Sequence, residues 1–358
     1  MSVLNKIMSN KVVKKNVFVE TPMEYINTGC LVLNILFSGR LDGGIPKKKI
    51  SQIVAPSSLG KSMIALRVAK YAQMMGMEVF FIDTEFAYNE KTALKMKIDL
   101  DKLGVIQSNS IEEIQQSLTA SINELTQAEK DTILIILDSW GGLVTSKTID
   151  DAISGNDVSD MTVSKKKNAL ARIITGLQCT TFVVNQTYEN IMDKYNPLAV
   201  GGGKGLRFAS TSIVMGSSKA KSKDTDDDGN TLGSIITAST EKSRLCKERS
   251  KLKFLNEYSG GIHPYYGILE DALEGGFVTA PTQGFYTRPT VDGDKKWREK
   301  QIWENSDEFW LPIINKTGFA EYIKNKYTFD ASELSELATL DIKHILNKDD
   351  IFDEEDVE

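Results

Sequence analysis

Histidine and cysteine are scarce in this chain of 358 residues, which holds two of the first and three of the second. His263 and His344 stand far apart in sequence, which argues against zinc hydrolases and Ser-His-Asp hydrolases, since both set histidine beside a metal or a nucleophile. Cys30, Cys179 and Cys246 fall in no metal-ligand spacing and read as small buried hydrophobes in a reducing environment. Long apolar runs are missing too. Nothing approaches the roughly 18 residues that span a bilayer, and the opening MSVLNKIMSNKVVKKNVFVE lacks the roughly 7–15-residue apolar stretch of a secretory leader. No membrane association and a cytoplasmic location are expected.

What is present is an ordinary globular composition, 41% hydrophobic and 26% charged, with length enough for one large domain or two. The net charge of −6 is unevenly spread. Seven acids and no base occupy DDIFDEEDVE at residues 349–358, which leaves the rest of the chain at +1. Residues 346–358 are expected to form a disordered, solvated acidic tail, either a solubilising end or a competitor for a basic groove.

The pattern along the chain alternates strand and helix. KKKISQIVA leads into APSSLGKS (55–62), followed by a helical stretch closed by Gly76. Further apolar runs at 77–83, 132–138, 179–185 and 211–216 are nearly unbroken, as strands buried on both faces should be. Helices are expected over 110–129 and 159–177. This order predicts an α/β fold with a mainly parallel central sheet flanked by helices. After 216 the shorter runs 233–240 and 251–257 predict an antiparallel extension. SKDTDDDGN (222–230) puts Asp224, Asp226, Asp228 and Gly229 at calcium-loop offsets, but Ile235 stands at the twelfth position, so a solvated hairpin loop is expected. Residues 279–345 read as a small α-rich appendage.

APSSLGKS matches the phosphate-binding pattern G-x-x-x-x-G-K-[ST] except at Ala55. The first position only leaves a strand and opens a turn, which alanine can do at negative φ. The backbone of Ser57, Ser58, Leu59 and Gly60 would cradle phosphates, Lys61 would reach the β- and γ-phosphates, and Ser62 would meet magnesium. ATP and Mg2+ are therefore the expected cofactors. A second carboxylate set belongs at the C-terminal ends of neighbouring strands. Asp138 closes ILIILD and suits the magnesium shell. Asp83 or Glu85, in FFIDTE, could orient or deprotonate water. Asn185 and Gln186, in TFVVNQ, are amides able to respond to a γ-phosphate.

With these motifs in place the sequence resembles the RecA family, and most closely the UvsX recombinases of T-even-like phages, over roughly residues 23–278. The resemblance rests on INTGCLVLNILFSGRLDGGIP, FIDTEFAYN, LDSWGGL, DVSDMTVSKKKNALARI, VVNQTYEN, GGGKGLRFAS, TEKSRLCKERSKLKF and GGIHPYYGILEDALEGGFV. It implies a RecA-like ATPase core over 23–278 after an N-terminal oligomerisation segment at 1–22, with the host cytoplasm as location if the chain is phage-encoded. It implies Glu85 as general base and Gln186 as γ-phosphate sensor. DNA-binding loops would fall over about 149–167 and 188–207, with Lys165, Lys166, Lys167, Lys204, Gly205 and Arg207 on DNA. Lys247 and Arg249 match the paired basic residues that reach the ATP of an adjoining subunit. The adenine-stacking tyrosine of RecA would fall near Thr92, with Tyr88 the nearest aromatic.

The function so implied is an ATP-dependent strand-exchange recombinase, filamentous on single-stranded DNA and paired with double-stranded DNA, a single-strand-binding protein and a loading mediator. A hexameric helicase of the same fold would be expected to carry a sizeable domain where about two dozen residues precede the core here. A mediator using ATP only structurally would be expected to lack Glu85 or the basic pair.

Overall fold

The computed structural model describes residues 23–156, 160–189, 198–221, 233–258 and 261–329. β1 (Tyr25–Ile26) pairs with β2 (Ile45–Pro46) around helix α1 (Leu31–Ser38). The run then alternates: β3 (Ile50–Ala55), α2 (Lys61–Met74), β4 (Glu78–Asp83), α3 (Glu90–Lys95), β5 (Leu103–Gln107), α4 (Ile111–Ile122), α5 (Gln127–Lys130), β6 (Ile133–Asp138), α6 (Ser146–Ile153), α7 (Val163–Leu177) and β7 (Thr180–Glu189). β8 (Leu198–Val200), α8 (Lys204–Ala209), β9 (Ser212–Lys221), β10 (Gly233–Ser243), β11 (Lys251–Glu257) and β12 (Gly261–Ile262) complete the core.

The large sheet runs β5-β4-β6-β7-β3-β9 with every pair parallel, and continues antiparallel through β10, β11 and β12. Both the parallel centre and the antiparallel extension agree with the apolar pattern. Successive strand residues face opposite layers. Leu134 and Ile136 of β6 pack with Ile64, Val68 and Ala72 of α2, while Ile135 and Leu137 pack with Ile114 and Leu118 of α4 and Leu170 and Ile174 of α7. Two buried layers explain why ILIILD has no polar position before its aspartate.

Three local features differ from the sequence reading. The helix expected over 110–129 ends at Ile122, and a new turn opens at Thr126 because its hydroxyl and Glu129 form a reciprocal capping box. The helix expected from 159 begins at Val163, after Asp160 has accepted bonds from Thr145 Oγ1, Thr162 Oγ1 and the Thr162 backbone N–H. β5 is an additional strand at the sheet edge, half of it solvent-facing, and so without the apolar run of a central strand.

Beyond α9 (Leu269–Glu274) the chain forms a three-stranded antiparallel sheet, β13 (Thr279–Thr282), β14 (Phe285–Arg288) and β15 (Gly293–Arg298), then helices α10 (Glu299–Glu304), α11 (Ser306–Lys316) and α12 (Phe319–Tyr327). The helical character is as expected; the small sheet is an addition. Its Trp297 joins Phe309, Trp310 and Phe319 in the same buried cluster as α1 and α2. The calcium-like loop, residues 1–22 and the acidic tail lie outside the described residues.

Candidate functional site

The parallel register brings one end of four strands level. Ala55 pairs with Gln186, Asp138 with Val184, and Asp83 with Asp138. The phosphate-loop residues, Glu85, Asp138 and Gln186 therefore share the C-terminal edge of the sheet, where α/β folds place ligands.

Residues 56–60 turn from β3 into α2. Ser58 and Gly60 both have left-handed backbones, φ 64° and 79°, the alternation that turns successive N–H groups into an anion-binding hollow. Ser57 and Ser58 are exposed and Leu59 is buried beneath them. Ala55 keeps a negative φ, and its methyl fits because Gly216 faces it from β9; a Cβ at Gly216 would lie 3.1 Å from that methyl. Lys61 reaches back to the Pro56 carbonyl at 2.9 Å, and burial holds its ammonium below the usual lysine range against the pull of Asp138 and Glu85.

Burial pushes the Asp138 carboxyl up to about 6, with Glu85 and Asp83 adding to the rise and Ser62 and Lys61 opposing it. A buried carboxyl next to a hydroxyl suits a dication held by one carboxylate, one hydroxyl, phosphate and water. Among the described residues no group of three or more His, Cys, Asp or Glu side chains is placed to hold a metal ion. A cleft lined by Ser62, Glu85, Tyr88, Asn89, Thr92 and Asp138 continues from this point, so Tyr88 and Thr92 do border the site.

The structure separates the two candidate bases. Asp83 is buried and accepts from the backbone N–H groups of Glu85, Ala87 and Tyr88 and from Gln107 Nε2, so its oxygens shape the loop. Glu85 is exposed and accepts from Ser139 Oγ at 2.6 Å and Gln186 Nε2 at 3.0 Å. Asn185 is fully buried; it bonds the Gly201 carbonyl and Gln52 and caps the Gln186 N–H. It fastens the start of the glycine-rich segment to the sheet.

The other site residues lie elsewhere. Lys165 is exposed, whereas Lys166 is ion-paired with Glu112 and Lys167 donates to the carbonyls of Trp140 and Gly141. Lys204 is exposed at the start of α8, the Gly205 N–H bonds Asn168 Oδ1, and Arg207 pairs with Glu241 at 2.9 Å. α8 packs along α7, so these residues share one side of the molecule.

Lys247 and Arg249 occupy the turn between β10 and β11. Ser243 pairs with Ser212 and Ser212 with Ser51, so this turn lies beyond the opposite end of β3. From Ser51 to Ala55 alone is about 13 Å at the ~3.3 Å rise of a strand. Lys247 donates to the Lys326 carbonyl, and Arg249 holds a left-handed backbone with φ 64°. The same end carries Lys242, bonded to the carbonyls of Arg207, Phe208 and Ser210, and Arg244, bonded to that of Phe208. Sequence reasoning passed over this second pair. Its signal was the same i, i+2 spacing as Lys247 and Arg249, and spacing alone cannot rank the two.

A family model described as the RecA N-terminal domain matches residues 3–263. A model described as the C-terminal domain of the bacteriophage T4 recombination and repair protein matches residues 265–323. Among curated proteins, the recombination and repair protein of Enterobacteria phage T4 is 29% identical over 340 residues, covering 90% of this chain and 84% of that protein. The RecA protein of Ruminococcus albus is 27% identical over 298 residues, covering 82% and 72%. That of Clostridium novyi is 26% identical over 312 residues, covering 86% of each.

Proposed function

The chain belongs to the RecA family, and from that premise we propose that it is an ATP-dependent recombinase. It polymerises on single-stranded DNA, aligns that strand with homologous duplex, and hydrolyses ATP between neighbouring subunits in recombination and repair. The observation that carries the reading is a shared carboxylate. Glu85, beside the phosphate loop, takes a hydrogen bond from Gln186, the residue from which β7 runs out toward the glycine-rich segment.

Magnesium-bound ATP supplies a γ-phosphoryl group open to in-line attack by water. The chain's own groups then divide the work. Backbone N–H groups of 57–60 and Lys61 hold phosphate oxygens, Ser62 and Asp138 hold the metal, and Glu85 orients water and takes its proton. Gln186 couples Glu85 to the segment that follows it. Lys247 and Arg249 sit beyond the opposite end of β3 from their own phosphate loop, which supports a role on a neighbour's nucleotide; the same trans role extends to Lys242 and Arg244 at that end. DNA phosphates are met by Lys165, Lys166, Lys167, Lys204 and Arg207, with the Gly205 backbone close by, a contact set that is salt-sensitive and blind to sequence.

Residues 1–22 serve oligomerisation, 23–278 form the ATPase core, 279–345 the appendage and 346–358 the acidic tail. Partners are a single-strand-binding protein and a loading mediator, in the cytoplasm of a phage-infected host. No described helix is long and apolar enough to cross a membrane. Electron microscopy with single-stranded DNA and a non-hydrolysable ATP analogue tests the assembly: helical filaments are expected, and rings or monomers would refute it.

A further inference from the structure

Between the nucleotide edge and the DNA-facing side lies the segment Ser139-Trp140-Gly141. Ser139 Oγ donates to Glu85 at 2.6 Å. The Trp140 backbone N–H is pinned to the Val184 carbonyl on β7 at 2.9 Å, two residues before Gln186. The Trp140 ring is fully buried, and its Nε1–H donates to the Gly202 carbonyl at 3.0 Å. Its own carbonyl accepts from Lys167 Nζ at 3.1 Å. The next residue of α7, Asn168, holds the Gly205 N–H at 3.1 Å. One residue thus touches the strand that carries Gln186, the helix that carries Lys165 to Lys167, and the segment that carries Lys204 and Arg207.

The contact with Gly202 is made to fit this side chain. Gly202 has φ 86°, a region that favours glycine, and a Cβ added there would fall on the indole Cδ1. The indole edge occupies the space that any other residue at 202 would need. A buried indole N–H needs a partner, and here that partner is the Gly202 carbonyl, next to the Gly201 carbonyl that Asn185 holds.

We propose that Trp140 is a positioning residue: through its indole N–H and its backbone carbonyl it ties the Glu85–Ser139–Gln186 cluster to the DNA-facing segments 163–168 and 201–207, so that nucleotide state sets their placement. The proposal rests on the recombinase reading above. A hydrogen bond made differently in two states contributes to the free-energy difference between them, and so to the coupling of the two ligands. The bond is assigned to the nucleotide-bound, DNA-binding arrangement, so its loss shrinks that coupling.

The test is the ratio of single-stranded DNA dissociation constants measured without and with a non-hydrolysable ATP analogue. Trp140→Phe keeps a large ring and removes the donor. The ratio is expected to fall about fivefold to tenfold, as for one neutral hydrogen bond, while the variant still binds the analogue without DNA. An unchanged ratio overturns the proposal. If Trp140→Phe does not fold, Gly202→Ala enters the same joint from the segment side: loss of the ratio supports the proposal, and retention overturns it. A wild-type ratio of one instead refutes the recombinase reading itself.

Discussion

His263 is buried where the ATPase core meets the C-terminal helices, and its proton is the one to follow. Its Nδ1 accepts from the backbone N–H groups of Tyr265 and Tyr266, and its ring lies edge-on to Trp303 at 5.7 Å. Burial brings the imidazole down to about 4, and Arg67 opposes its charging as well. The unfolded chain takes up this proton near the ordinary value of 6.5, so between those values the unfolded state binds more protons than the folded one. Stability from this group is whole above 6.5 and is lost as the pH falls toward 4, by about 2 kcal/mol at about pH 5. Asp138, raised to about 6, has the opposite sign, because the folded state takes up its proton first and is stabilised as pH falls. The wild-type curve alone therefore mixes the two. His263→Asn keeps an acceptor for the two N–H groups and removes the titration, so the difference between the two proteins isolates His263. Urea denaturation of both, without nucleotide, should show the variant gaining on the wild type by about 2 kcal/mol from about pH 7.5 to about pH 5. Parallel curves would refute the reasoning.

Glu85→Gln should retain ATP binding but lose turnover by about 10²–10⁴-fold, the worth of a general base, whereas Lys61→Ala should lose nucleotide binding; equal loss of binding in both would contradict the role given to Glu85. Mixtures of Lys61→Ala with Lys247→Ala or Arg244→Ala subunits should recover some turnover at mixed interfaces, each variant alone being inactive, and no recovery in particles shown to co-assemble would count against a shared site. Lys165→Ala should leave the melting temperature unchanged and lower the slope of log K against log salt by about 0.7, the single-strand value for one phosphate. Lys166→Ala should also lower the urea midpoint slightly, through loss of its exposed pair with Glu112.

Much of this was legible in the sequence, and the physical reasons are specific. Central strands such as ILIILD are buried on both faces and announce themselves, while β5 at the edge shows water half of its residues and does not. The phosphate loop, Asp138 and Gln186 were readable because strand ends and loop spacing carry them. Residue types alone left Glu85 and Asp83 open and the resemblance pointed to Glu85; the physical difference, that Asp83 is consumed by the N–H groups of the turn 85–88, is a matter of geometry. Ala55 was tolerable on conformational grounds, but that Gly216 makes its room is a cross-strand fact. Trp140, inside LDSWGGL, carried no signal of its own in the sequence; only the direction of its N–H distinguishes it.

The central claim is that ATP bound at this site drives homologous strand exchange. It is tested most directly by mixing the full chain, single-stranded DNA, Mg2+ and ATP with a duplex carrying a fluorophore and a quencher on its two strands. The account predicts strand separation that requires ATP and a homologous sequence, and that disappears with Lys61→Ala. Separation that proceeds equally with heterologous single strands, or none at all from protein that binds ATP and single-stranded DNA, would contradict it.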